Sequence, residues 1–210
     1  QWEATAHRLL VAATFHASHE LSTQEIIDHI AQNASGVFFA GDAQQLQSGY
    51  DAITATYQQP SQVLQQAYPE KEEEKEEEKT TQHNVEAQQP IAHWSKETIT
   101  KWARLVKDEH VSVTQSELLA VIKRAVVLQH GFAPRTTQLL SVLLFLNTPD
   151  ATGRLAQINT GEGKSLIVAM LAAVHALKGH KVDVVTTSEE LSIPEVKKQS
   201  LADEALSELK

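Results

Sequence analysis

The chain has 210 residues, a formal net charge of −9 and no cysteine. The lack of cysteine excludes a disulfide framework and a thiolate metal site, and the acidic balance, without a cluster of Lys and Arg, disfavours a nucleic-acid partner. Every apolar stretch is shorter than the roughly 18 residues that a membrane-spanning helix needs. The amino terminus also lacks the pattern of a secretory signal. We therefore expect a cytoplasmic protein without a transmembrane segment, and the sequence leaves peripheral membrane contact open.

Residues 1–68 have the apolar spacing of several short helices. Apolar side chains recur at helical intervals, first over residues 9–17 and again over residues 26–30. Ser22 and Glu25 have the spacing of a capping box, in which the hydroxyl and the carboxylate each bond a backbone N–H at the start of a helix. We interpret residues 1–68 as a helical region.

Residues 69–90 are acidic and polar and include the run Glu70–Lys79, with the sequence EKEEEKEEEK. The stretch has almost no apolar side chains, so it cannot bury enough surface to offset the entropy of ordering its backbone. We predict a solvated linker here in preference to an acidic docking tract.

Residues 91–150 are predicted to be a helical lead-in to the rest of the chain. Ser95 is a candidate N-cap for one helix. Thr114 and Glu117 have the spacing of a second capping box, which opens a helix that ends at Gly131. A strongly apolar helix is expected over 137–146.

Residues 151–210 change in character and predict alternating strands and helices. Gly153–Asn159 is suited to a buried strand, and Thr160–Ser165 is a glycine-containing loop. Leu166–Leu177 is apolar nearly all round, as in a buried helix, and Lys181–Thr186 is a β-branched run. Strand, loop, helix and strand form a βαβ unit of a parallel sheet. The fold expected is an α/β P-loop nucleotide-binding fold with a partial parallel sheet, preceded by a helical region.

The loop carries the residue types that bind a phosphate group. Gly161 and Gly163 lack a Cβ, so their backbone N–H groups can curl around an anion at the start of a helix. Lys164 would reach the terminal phosphates, and the Ser165 hydroxyl would complete the shell of a Mg²⁺ ion. The full P-loop pattern has glycine where this chain has Ile158, and helicase-like motors often share that departure.

These elements resemble the ATPase of the SecA preprotein translocase family over roughly residues 118–191. The similarity rests on Gln138, on the sequence T-G-E-G-K-S at Thr160–Ser165 and on V-V-T at Val184–Thr186. The resemblance implies ATP and Mg²⁺ as cofactors, a polypeptide substrate or protein partners, and recognition of adenine by Gln138. The nucleotide-binding residues that it implies are Gln138, Thr160, Gly161, Glu162, Gly163, Lys164 and Ser165, of which Ser165 also contacts Mg²⁺ through the nucleotide.

By resemblance, the parent activity is ATP hydrolysis coupled to translocation of a polypeptide. Such motors hydrolyse ATP with an acidic pair and with an arginine from a second motor lobe, and neither can be assigned in this sequence. Asp203 and Glu204 lie in a stretch with the spacing of a surface helix. We therefore expect an ATP-binding fragment of a larger motor, with catalytic residues unidentified. The alternative is a helical protein-interaction or scaffolding module with a truncated, non-hydrolysing P-loop remnant.

Overall fold

The computed structural model describes residues 21–33, 40–68, 88–108, 111–147, 156, 158 and 161–185. The chain divides into two compact units, Gln1–Ser48 and Gly49–Lys210. Across the described ranges, no helix combines the length and apolar character needed to cross a membrane. The helices are α1 (Thr23–Asn33), α2 (Ala40–Tyr57), α3 (Gln62–Ala67), α4 (Lys96–Lys107), α5 (Gln115–His130), α6 (Thr136–Leu146) and α7 (Lys164–Leu177), with a 3₁₀ turn at Ile91–His93.

The first unit contains α1, which begins with the predicted capping box. The Ser22 N–H donates to Oε2 of Glu25 at 2.7 Å, and the Glu25 N–H donates to Oγ of Ser22 at 3.3 Å. The Ser22 hydroxyl also donates to Oε2 of Glu25, at 2.7 Å. This side-chain bond, together with the bond from the Ser22 N–H, stabilises the charged carboxylate and holds the pKa of Glu25 below its usual value. Ile26 and Ile27 are buried, as their spacing predicts. The earlier helical pattern, over residues 9–17, lies outside the described residues.

The predicted α/β fold with a parallel sheet is wrong, because the described residues are mainly helical and contain no strand. Lys181–Val185 has no strand structure, and its Val185 side chain is 91% exposed. A β-branched run favours a strand when it can pack on a pleated surface between neighbouring strands. The described chain offers this run no such neighbour. Of the other predicted strand, Gly153–Asn159, only residues 156 and 158 are described, and neither is in a strand.

The second unit is a packed set of helices in which α7 contacts α4, α5 and α6. α5 and α6 are buried along much of their length, whereas α7 buries one stripe and leaves Val168 41% exposed. Leu166–Leu177 is apolar on nearly every face, but the described helices cover only one side of α7. The core of the second unit includes large side chains that are fully buried: Ile53, Ile91, Trp94, Trp102, Leu118, Leu119, Leu139, Leu140, Leu143 and Met170.

The carboxylate of Glu117 joins three of these elements from a fully buried position, with 1% of the residue exposed. Its Oε1 accepts hydrogen bonds from Nε1 of Trp102 on α4 at 2.9 Å and from Oγ of Ser61 at 2.5 Å. The backbone N–H groups of Gln62 and Val63, in the first turn of α3, donate to the same carboxylate at 3.2 and 3.4 Å. One side chain on α5 thus supplies the acceptors for α4 and for the start of α3.

This arrangement changes the role that the sequence predicts for Glu117. The Glu117 N–H does donate to Oγ1 of Thr114 at 3.2 Å, as a capping box requires. The carboxylate, however, bonds the other elements described above instead of returning to the Thr114 N–H. The predicted caps at Ser95 and Gly131 are confirmed: Ser95 accepts from the Thr98 N–H, and Gly131 ends α5 with a φ of 76°.

The two sides of the predicted acidic linker lie close together. Pro60 and Pro90 form an isolated antiparallel bridge, and the Ile91 N–H donates to the Gln59 carbonyl at 3.0 Å. Residues 69–87, which contain Glu70–Lys79, lie outside the described residues, so the linker stays a prediction. The backbone bonds hold residues 59–60 beside residues 90–91.

Replacing Glu117 with alanine is expected to lower the free energy of unfolding by about 3 kcal/mol, because the donors from Ser61 and Trp102 lose a buried partner. Urea denaturation measures the change. Asp108→Ala, at an exposed position after α4, is the matched control and should cost no more than about 0.5 kcal/mol. Equal losses for the two variants would contradict the role assigned to Glu117.

Candidate functional site

The glycine loop, defined here as residues 161–163, leads directly into α7. Gly161 has a φ of 93° and Gly163 a φ of 74°, and glycine reaches these angles without the strain that a Cβ would add. Gly163 occupies the N-cap position, and α7 has no acidic residue in its first turn. The positive end of the helix is therefore not compensated by a carboxylate from that turn. Thr160, which the sequence includes in the site, lies outside the described residues.

Lys164 and Ser165 occupy the first turn of α7. Nζ of Lys164 donates to the carbonyl of Ile158 at 2.9 Å, so the side chain turns back along the loop that precedes it. Lys164 is exposed and Ser165 is half-buried. The ammonium group thus lies close to the glycine loop, where it adds positive charge to that of the helix terminus.

Gln138, in the first turn of α6, is in contact with the glycine loop. Its Oε1 accepts from the Arg135 N–H at 2.9 Å, and its Nε2 donates to the carbonyl of Glu162 at 2.9 Å. A Cβ added at Gly163 would overlap Nε2 of Gln138, so only glycine admits this close approach. Gln138 is 5% exposed. The structure therefore brings together Gln138 and the glycine loop, which are far apart in the sequence.

Arg135 is a second link between the start of α6 and the loop. Its Nη1 lies 3.4 Å from Oε2 of Glu162, and the two side chains are 24% and 30% exposed. Sequence reasoning missed this residue. The pattern P-R-T-T-Q places Arg135 three residues before Gln138, but nothing in that spacing indicates an ionic partner in the glycine loop.

The geometry suits a phosphate group better than a protein-held metal ion. Backbone turns at Gly161 and Gly163, the amino end of α7 and the Lys164 ammonium combine the features that favour an anion. Ser165 offers one hydroxyl oxygen. The described ranges contain no group of three or more His, Asp or Glu side chains placed to hold a metal ion. A cation at this position would need most of its ligands from the bound anion and from water.

Comparison with known proteins decides the family. Residues 40–201 match the family model of the SecA DEAD-like domain. The chain belongs to this family. Protein translocase subunit SecA 2 of Mycolicibacterium smegmatis is 35% identical over 98 residues, which are 46% of this chain and 12% of that protein. Protein translocase subunit SecA of Onion yellows phytoplasma is 33% identical over 113 residues, which are 52% of this chain and 13% of that protein. No solved structure matches the chain.

The comparisons confirm the resemblance to SecA and extend it. Sequence reasoning found the SecA-like pattern over roughly residues 118–191, whereas the family match begins at residue 40, within α2. The chain is thus related to SecA DEAD-like domains from the first residue of α2 to residue 201. In these two alignments it spans about an eighth of the length of the curated relatives that it matches.

Substituting Gly163 tests the contact between α6 and the glycine loop. Gly163→Ala is expected to lower the free energy of unfolding by about 2–4 kcal/mol, because the positive φ is strained and the methyl group displaces Gln138. Gly161→Ala is the control: its φ is also positive, but a Cβ there would meet nothing within 4 Å. It should cost only the strain, about 1–2 kcal/mol.

A double substitution separates the two contributions to that loss. In a Gln138→Ala background, the additional cost of Gly163→Ala over Gly161→Ala should disappear, because the side chain that the methyl group displaces is gone. Chemical denaturation measures the free energy of unfolding of four variants: Gly163→Ala and Gly161→Ala, each with and without Gln138→Ala. An additional cost that persists without Gln138 would show that the described contact does not explain the need for glycine.

Proposed function

We propose that this chain is an ATP-binding part of a SecA-like motor and that the glycine loop holds the phosphates of the nucleotide. The observation that carries the proposal is the contact of Gln138 with the glycine loop at the amino end of α7, in a chain that belongs to the SecA DEAD-like family. In this proposal, ATP binding serves protein transport. The parent protein is a cytoplasmic translocase that acts on a polypeptide.

The phosphate end of the nucleotide would lie against the first turn of α7. The N–H groups of Gly161 and Gly163 and the terminus of α7 would face the phosphate oxygens. Lys164 would exchange its bond to the Ile158 carbonyl for a phosphate oxygen, since a charge-assisted bond to phosphate is stronger than a bond to a neutral carbonyl. The Ser165 hydroxyl would contact a Mg²⁺ ion that the phosphates hold.

The Gln138 amide has the hydrogen-bonding capacity to recognise adenine. An amide offers two N–H donors and two acceptor positions on its oxygen. The bond from the Arg135 N–H uses one acceptor position of the amide oxygen, and the bond to the Glu162 carbonyl uses one N–H donor. The two bonds also fix the orientation of the amide. The second N–H and the second acceptor position match N7 and the N6 amino group of adenine. Guanine presents O6 in place of that amino group, so the amide oxygen would face another acceptor.

The first test of the function is stabilisation by nucleotide. A ligand that binds only the folded chain stabilises it by RT ln(1 + [L]/Kd), about 2.7 kcal/mol at a hundredfold excess over Kd. Mg-ATP should therefore raise the melting temperature in a thermal unfolding scan, and Lys164→Ala should abolish the rise. Lys178→Ala, at the opposite end of α7, is the matched control and should keep it. A rise of the same size in the Lys164 variant would exclude the glycine loop as the phosphate site.

The second test is selectivity for the base. With adenine bonded to Gln138, ATP should bind at least about tenfold tighter than GTP, a difference of about 1.4 kcal/mol. Gln138→Ala should remove most of that preference and leave triphosphate binding measurable in a calorimetric titration. Gln129→Ala, at an exposed position on α5, should leave the preference unchanged. Equal affinity of the unmutated chain for the two nucleotides would argue against adenine recognition by Gln138.

If the chain binds no nucleotide at all, the result favours the alternative function. In that case the helices would serve as a protein-interaction or scaffolding module, and the glycine loop would only connect two helices. The two tests above separate these functions, because a scaffolding module gives no reason for Lys164 or Gln138 to affect the response to Mg-ATP.

A further inference from the structure

Glu162 places a carboxylate in the glycine loop, between its two glycines. A carboxylate at this position would repel the phosphates of a bound nucleotide, since like charges a few ångströms apart disfavour each other. The backbone carbonyl of Glu162 is fixed by Gln138, so the residue cannot move far from the loop without breaking that bond. The charge of this carboxylate therefore disfavours a bound polyphosphate unless another group offsets it.

Arg135 provides the opposite charge at the same place. Its Nη1 lies 3.4 Å from Oε2 of Glu162, while its backbone N–H bonds the Gln138 amide oxygen. The arginine is thus anchored at the start of α6, with its guanidinium group at the glycine loop. Both side chains are about three quarters buried, so solvent screens their interaction less than that of a fully exposed pair.

We propose that Arg135 and Glu162 form a charge-balanced pair that sets the affinity of the glycine loop for the polyphosphate of a nucleotide. The inference rests on the proposed function of the loop and adds Arg135 to it as a positioning residue. Arg135 cancels the repulsion that Glu162 exerts on the phosphates. Glu162 in turn contacts the guanidinium group at the loop and offsets its positive charge.

The pair predicts opposite effects for its two members. Arg135→Gln leaves the carboxylate uncompensated and should weaken polyphosphate binding. Glu162→Gln removes a negative charge from the loop and should strengthen it. A pair with a purely structural role would behave differently, because loss of either partner would loosen the loop and weaken binding.

The experiment measures binding of Mg-ATP and of inorganic tripolyphosphate to the full chain by isothermal titration calorimetry. Tripolyphosphate has no base, so it reports on the loop without a contribution from Gln138. Arg135→Gln should weaken both ligands about fivefold, and Glu162→Gln should tighten both about fivefold, the size expected for a partly exposed charge pair. The double variant should return to within about twofold of the unmutated chain, and the effects of both single variants should shrink as salt is added.

Three controls keep the result specific. Arg135→Lys keeps the positive charge and should bind within about twofold of the unmutated chain, since the proposed balance depends on charge and not on guanidinium geometry. Arg104→Gln and Asp108→Asn make the same charge changes at exposed positions of α4 and its end, and should leave affinity unchanged. Melting temperatures without ligand show whether each variant is folded.

Weaker binding in both single variants would overturn the charge-balanced pair and leave the proposed function intact. The same holds if Arg135→Lys binds as poorly as Arg135→Gln. If the unmutated chain binds neither ATP nor tripolyphosphate, the proposed function and the role of the pair fail together.

Discussion

A buried carboxylate underlies the helical packing of the second unit. Glu117 lies on α5 with 1% of its surface exposed, and it bonds Trp102 on α4 together with Ser61 and the first turn of α3. A buried charge is costly unless its acceptors are satisfied, so the elements around it are constrained to positions that supply donors. α7 packs against both α4 and α5. The position of α7 therefore depends on the two helices that this carboxylate links.

The candidate site depends on a second constraint, the junction of α6 with the loop that begins α7. Gln138 bonds the backbone at both sides of this junction, and Gly163 allows the approach because it has no Cβ. A glycine loop without such support would adopt many backbone conformations, since glycine loses more entropy on ordering than other residues. Support from α6 orders the loop before a ligand arrives, which reduces the entropic cost of binding.

The sequence predicted local features well because their causes lie within a few residues. The capping box at Ser22, the cap at Ser95 and the left-handed end at Gly131 all depend on short-range bonds. The sequence also shows the resemblance to SecA, since the glycine loop and the glutamine motif are each short patterns. The family match confirms that resemblance.

Features that depend on distant partners could not be predicted in the same way. Glu117 fits the capping-box pattern, yet its carboxylate bonds residues that lie 15 and 56 positions away. The pairing of Arg135 with Glu162 has no sequence signal, because ion pairs leave no periodic pattern. The strand expected at Lys181–Thr186 is absent over the described residues 181–185 for a related reason. Its β-branched residues favour a strand only beside neighbouring strands, and the described residues supply none.

Hydrogen exchange measured residue by residue, with and without Mg-ATP, tests the central claim most directly. ATP should slow exchange of the backbone N–H groups in the glycine loop and the first turn of α7, with a smaller effect at Arg135–Gln138 and none in α4. These N–H groups would gain phosphate oxygens as partners, and the Lys164→Ala variant should lose the effect. Unchanged exchange at the loop under saturating Mg-ATP, or slowing confined to another part of the chain, would contradict a nucleotide site at this junction.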